Sequence, residues 1–176
     1  MATTLPLAAL RYTPDDPMED VLFRAARHLG AAGVRLGGVL QHDVGMEFDT
    51  PCAMELEDLA TGTRFQLSQN LGSGSAACRL DPASLAQAAV AVRAAINAGV
   101  DIVFINKFGA QEAHGEGLRE EMALAVARGV PLITAVGERF LPDWHTFAAG
   151  MGELLPPDLD AILDWWARTH HPTGPT

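Results

Sequence analysis

Cysteine is scarce in this chain. Cys52 and Cys78 stand alone and far apart, and they match no paired zinc-ligand spacing. They read as two reduced, partly buried thiols, with a disulfide or a shared metal site as the alternative. Long apolar runs are missing too: none approaches the ~20 residues of a membrane span. No basic segment followed by an apolar stretch opens the N-terminus. The expectation is a soluble, cytoplasmic protein with no membrane insertion. Positive charge is also short, with Lys+Arg at 12 against Asp+Glu at 22, a formal net charge of −10. That balance argues against nucleic acid or an anionic membrane as the main partner, while leaving room for a locally positive pocket.

A phosphate-binding loop is absent as well. Leu5 to Leu10 is a short apolar strand running on to Tyr12. Asp16-Pro17-Met18-Glu19 is a helix start, with an acidic N-cap, proline at the first helical position and glutamate at N3. A strand, loop and helix of this kind can open a nucleotide-binding domain. Such a loop needs glycines whose N–H groups surround the phosphates, a lysine for their charge and a hydroxyl for magnesium. Here the loop reads Tyr12-Thr-Pro-Asp-Asp-Pro-Met-Glu-Asp20. Two prolines remove donors, and four carboxylates occupy the positive end of the helix dipole.

What is present is α/β patterning. At 176 residues and 48% apolar the chain is expected to be one domain over residues 1–169, with a flexible tail at 170–176. Met18, Leu22, Ala25 and Leu29 make a helical stripe, and Val34 to Leu40 is the next strand. Gly33-Val34, Gly99-Val100 and Gly129-Val130 each close a helix and open a strand, the mark of short helix-to-strand loops in a wound sheet. Cys52 to Leu59 and Arg64 to Ser68 partly alternate around Thr61-Gly62, which reads as a β-hairpin inserted into the α/β core at about 52–69. A glycine- and serine-rich loop, Asn70 to Arg79, precedes a helix begun by Asp81-Pro82, with Leu85, Ala89, Val92 and Ile96 as its stripe. Two further helices are expected at Phe140 to Met151 and Asp158 to Thr169. Their Trp144, Phe147, Trp165 and Trp166 read as core or as a dimer contact.

The densest chemistry lies between Gly99 and Val136. Asp101-Ile-Val-Phe-Ile105 is a buried-strand run. It ends in Asn106-Lys107-Phe108-Gly109, followed by Gln111-Glu112-Ala113-His114-Gly115-Glu116-Gly117. Leu118, Met122 and Val126 then recur at helical spacing. In a parallel sheet, ligands sit beyond the carboxyl ends of the strands, which is where Asn106, Lys107, Glu112 and His114 fall. Lys107 is a candidate to hold an anion or to pair with Glu112. Glu112, His114 and Glu116 are candidate metal ligands or acid–base groups. Spaced by two, they need not converge, and a metal site would need a further ligand such as His42, Asp43 or Glu47. Gly72-Ser73-Gly74-Ser75 with Arg79 is a second anion candidate, offering N–H groups, two hydroxyls and a charge. The plain alternatives are a solvated lysine and an ordinary surface loop.

The run from Phe104 to Arg119 resembles the signature of an uncharacterised bacterial family, domain of unknown function family 2478. So do Gln41, Cys52, Leu56 to Gly62, Ser68 to Gly72 and Cys78 to Pro82, and the resemblance covers most of residues 5–150. Members are often encoded near molybdate-transport genes, so it implies a molybdenum-linked role. The family in turn resembles P-loop nucleoside triphosphatases of the thermophile type, in which an acidic pair ends the central strand and precedes Ile-Gly-Lys-Met-Glu. Here the pair reads Asn106-Lys107, while Gly109 and Glu112 remain. The resemblance implies the fold without its metal-binding acid and general base. Asn106-Lys107 is also similar to the guanine-reading Asn-Lys-x-Asp of GTPases, with Gly109 in place of the aspartate.

These readings lead to an α/β fold with a mostly parallel wound sheet flanked by helices, P-loop-like but degenerate, and an inserted hairpin. The expected function is non-hydrolysing binding of a small oxyanion or metabolite in molybdenum handling, through Ser73, Gly74, Ser75, Arg79, Asn106 and Lys107. No intact nucleotide or metal motif names a cofactor. One alternative is a divergent nucleotide hydrolase or transferase using Lys107, Glu112 and His114. Another is a regulatory scaffold for a transporter, and the expected partners beyond a small anion or metabolite are a second copy of the chain or a transporter component.

Overall fold

A computed structural model describes residues 6–43, 54–66, 68–70, 78–80 and 82–170 of the chain. The elements run β1 (Leu7–Tyr12), α1 (Met18–Ala31), β2 (Leu36–Asp43), β3 (Met54–Asp58), β4 (Arg64–Gln66), β5 (Ser68–Asn70), β6 (Cys78–Leu80), α2 (Pro82–Ala98), β7 (Ile102–Ile105), α3 (Ala110–Ala113), α4 (Arg119–Ala127), β8 (Leu132–Gly137), α5 (Leu141–Ala148), β9 (Glu153–Leu155) and α6 (Leu159–His170). Seven strands form one sheet in the order β4-β3-β2-β7-β8-β1-β9. From β2 to β9 all neighbours are parallel. The fold is therefore α/β with a mostly parallel sheet, as its patterning predicts.

Strands β7 and β8 are apolar at nearly every position because both faces of the sheet are covered. Val103 and Ile105 face α2, α4 and α5, packing with Val92, Met122 and Trp144. Ile102 and Phe104 face α1 and α6, packing with Leu22, Ile162 and Trp165. Trp144, Trp165 and Trp166 are all buried, so the C-terminal tryptophans are core. The approach of β2 to its neighbours depends on Gly37 and Gly38. A Cβ at Gly38, where φ is +96°, would lie 1.9 Å from the Phe104 carbonyl oxygen, and one at Gly37 would lie 2.7 Å from Ala95 Cβ in α2.

Four features bear on the expectations, two of them as corrections. The expected hairpin is present as β3 and β4, outside the parallel strands, and it continues their sheet. β3 pairs antiparallel with β2, from Val39 opposite Asp58 to Asp43 opposite Met54. This pairing occupies backbone groups that would otherwise leave β2 as an open edge. Second, part of the segment read as a loop is paired: β5 and β6 form a small antiparallel sheet of their own. Third, β9 adds an unforeseen strand beside β1. Fourth, Asp16 does not cap α1. Pro17 occupies that position with no side-chain cap, while the Asp16 carboxylate turns back to Thr13.

Candidate functional site

The connection after β1, where a P-loop would wrap phosphate, spans only residues 13–17. Its donors are turned inward. The Thr13 N–H and hydroxyl both donate to Asp16 Oδ2, at 2.7 and 3.0 Å. The Asp16 N–H donates to the Thr13 carbonyl at 3.0 Å, and the Met18 N–H to the Asp16 carbonyl at 2.9 Å. Beside the turn, the Tyr12 ring lies against Gly137 at the end of β8. Burial, and then the Glu19 carboxylate, push the Tyr12 phenol above its ordinary value of 10.0. Arg11 is paired with Glu138 at 3.1 Å. Three amides that could contact a phosphate are already used, and the surrounding charge is acidic.

The open space lies on the far side of β8, at the carboxyl ends of β2 and β7. A cleft of about 220 Å³ is lined by Val39, Leu56, Leu85, Ile105 and Leu118, with Gln41, Asn106, Lys107, Gly109 and Glu112 among its polar contributors. Asn106 is buried. Its Oδ1 accepts the Gln41 N–H at 2.9 Å, and its Nδ2 donates to Gln41 Oε1 at 3.5 Å. The next residue but one, Phe108, rejoins the sheet beside Val136 and packs on Trp144 and Phe147. Asn106 and Lys107 thus form a fixed step between two anchored positions, with Asn106 inward and Lys107 exposed. Lys107 is the only lysine in the sequence.

Glu112 closes the loop that follows. Its Oε1 accepts the Gly109 N–H and its Oε2 the Leu118 N–H, each at 3.0 Å. Gly117, with φ +63°, makes room for it: a Cβ there would lie 1.9 Å from Glu112 Oε2. Arg119 donates to the Glu112 carbonyl at 2.8 Å and sits over the Phe147 ring. The cleft walls are tied together elsewhere by Arg93 of α2, which bonds the buried Glu121 of α4 at 2.8 Å.

Lys107 and Glu112 therefore share the cleft, whereas His114 does not line it. The His114 ring is exposed, with Nδ1 2.6 Å from the Ala110 carbonyl oxygen, and Glu116 is exposed as well. The Glu112 carboxylate binds loop amides, and no ion pair of Lys107 is present among the described residues. His42 sits apart, stacked on Phe23 of α1 and bonded to Glu57 at 2.9 Å. Among the described residues no three His, Cys, Asp or Glu side chains are placed to hold a metal ion. Ser73, Gly74, Ser75, Glu47 and Cys52 lie outside the described residues, as do the side chains of Asp43, Cys78 and Arg79. Sequence reading missed Gln41 and the aliphatic walls as parts of the site. The available signal was parity: Val39 and Gln41 lie on one face of β2, at the strand's carboxyl end.

A family model described as protein of unknown function (DUF2478) matches residues 7–165. Over 163 residues the chain is 42% identical to the molybdenum import ATP-binding protein ModC 2 of Bradyrhizobium diazoefficiens. That match takes in 93% of the chain but only 18% of the relative, so the chain spans less than a fifth of that protein's length. Two solved structures are similar. One is the solution structure of a human cancer-related nucleoside triphosphatase, with TM-score 0.58 and 16% identity, covering 85% of this chain and 87% of that one. The other is the crystal structure of THEP1 from the hyperthermophile Aquifex aeolicus, with TM-score 0.66 and 11% identity, covering 90% and 95%. At these identities the likeness is one of fold.

Proposed function

The chain belongs to the DUF2478 family of proteins of unknown function, and from that premise we propose that it is a non-hydrolysing P-loop-like domain. It binds a small oxyanion or an anionic metabolite at the cleft between β2 and β7, in the service of molybdenum handling. Asn106 and Lys107 contact the ligand. Arg79 and the Ser73-Gly74-Ser75 stretch join them from the segment preceding α2, whose Leu85 lines the cleft. One observation carries this reading: the turn after β1 is closed on its own amides, while an open cleft with a cation at its rim stands elsewhere on the same sheet edge.

The relative's name supports the molybdenum link, since a domain like this one forms part of a molybdenum import ATP-binding protein. The same observation favours a second role, in which ligand occupancy in this domain regulates a transporter component. Two measurements test the proposal. Steady-state assays with magnesium and ATP or GTP should show no turnover above background. Calorimetric titration with molybdate, sulfate, phosphate and small carboxylates should show saturable binding by at least one anion. Lys107→Ala should weaken it at least ~10-fold, the loss of one charge-assisted contact. Turnover that disappears on changing Lys107 or Glu112 contradicts the proposal, as does binding of no anion below the millimolar range.

A further inference from the structure

We infer that the cleft takes a small organic anion, a carboxylate or phosphate ester on a compact apolar body, rather than a bare tetrahedral oxyanion. This rests on the ligand-binding reading above and narrows its substrate class.

The walls carry the first part of the argument. Val39 and Leu56 come from adjacent strands, Leu85 from α2, Ile105 from the end of β7, and Leu118 from the turn before α4. Aliphatic side chains offer no donors to replace the water that an inorganic dianion would shed on entering, so along these walls such an ion loses hydration that only the strand-end groups can replace. An apolar body covering the same walls gains from leaving water. At about 220 Å³ the space is below the ~300–1,000 Å³ typical of pockets for drug-sized ligands, which limits the body to one small ring or a short branched chain.

The polar groups carry the second part. Among the described residues they come from the carboxyl ends of β2 and β7 and from the loop and α3 that follow β7, as suits a ligand with one polar end. The Asn106 oxygen accepts the Gln41 N–H, and among the described residues its nitrogen makes only a 3.5 Å contact with Gln41 Oε1. That amide keeps donor capacity for a ligand oxygen. Glu112 also lines the cleft, but each of its carboxylate oxygens accepts a loop N–H. Among the described residues Lys107 is then the cation that lines the cleft. Arg11, Arg24, Arg35, Arg64, Arg93 and Arg168 form ion pairs; Lys107, like Arg27, Arg119, Arg128 and Arg139, forms none among the described residues, and of these five it is Lys107 that lines the cleft. A lysine ammonium is a compact charge with three rotatable donors on a flexible stem, able to follow an anionic group at a cleft mouth.

Because Lys107 is the only lysine, its acylation can be read without interference. The intact chain is treated with a water-soluble acetylating ester. Modification of the Lys107 peptide is followed by mass spectrometry, with the N-terminal amine as internal control. Benzoate, 3-phenylpropionate and phenyl phosphate are compared with neutral benzamide and with inorganic molybdate, sulfate and phosphate. At about ten times its Kd, a bound organic anion should slow Lys107 acylation roughly tenfold and leave the N-terminal amine unchanged. Benzamide and the inorganic ions at equal concentration should protect much less. Leu85→Ala, checked for native circular dichroism, should lose the protection while keeping Lys107. Inorganic anions protecting as well as organic ones would overturn this inference and leave the anion-binding reading standing. Equal protection by benzamide would overturn the role of charge. Protection by no anion at all, inorganic or organic, would remove both readings together.

Discussion

Glu112 shows how one residue can hold the shape of a site. Its two oxygens hold the amides of Gly109 and Leu118, fixing both ends of the loop that borders the cleft. Charged hydrogen bonds of this kind contribute ~1.5–3 kcal/mol each, so Glu112→Ala should lower stability in urea unfolding by at least that much. Gly117→Ala should also destabilise, because its Cβ would overlap the carboxylate at a backbone angle unfavourable to side chains. The two losses should not add: with the carboxylate removed, part of the clash disappears, and the double variant should be less damaged than the sum of the singles. Full additivity would show that the carboxylate is not the obstacle. At the proposed anion contacts, Arg79→Ala should weaken ligand binding at least ~10-fold by calorimetry, and wild-type affinity would give that loop the plain surface reading. Tyr12 supplies a pH dependence. Its folded pKa lies above the ordinary 10.0, so the folded state keeps a proton that the unfolded chain has lost. The stabilisation is complete below pH 10 and is lost as pH rises through the folded value. Tyr12→Phe should flatten that alkaline limb in pH-resolved thermal unfolding.

Among the elements, the turn between β1 and α1 is closed on its own groups. Its carboxylate–amide contacts give Asp16 a structural task, and Asp16→Ala should cost ~1–2 kcal/mol without creating nucleotide hydrolysis. A gain of ATPase activity in that variant would mean the turn conceals a working phosphate site. The same turn marks a limit of sequence reading. Asp-Pro before a helical stripe is a sound cap signal, yet the side chain found nearer donors at Thr13. Helix-to-strand junctions were more legible: Gly33, Gly99 and Gly129 all adopt positive φ where the stripes predict helix ends. What escaped notice was short and non-local. β9 runs only from Glu153 to Leu155 and gains its identity from pairing with β1, a partner more than a hundred residues away. The hairpin's own turn was readable in Thr61-Gly62, but nothing local reveals that β3 would dock on β2.

At the scale of the whole molecule, the sheet was legible because its central strands are apolar on both faces, and their periodicity announces helices on each side. The site was half legible. Asn106 and Lys107 could be placed at a sheet edge from the strand that precedes them. The divergence of Glu112 from His114 depends on a four-residue helix, α3, that no stripe announces. The fold is like that of a solved nucleoside triphosphatase, the turn after β1 is closed on its own amides, and the function proposed above relocates binding along the sheet edge to β2 and β7. Amide chemical-shift mapping tests that relocation most directly, using the intact chain with magnesium-ATP and, separately, with the best-binding anion of the panel. The anion should shift Asn106, Lys107, Gly109 and Leu118 and leave Thr13, Asp16 and Met18 in place, while magnesium-ATP should shift neither group. Saturable shifts at Thr13 to Met18 with magnesium-ATP would contradict it.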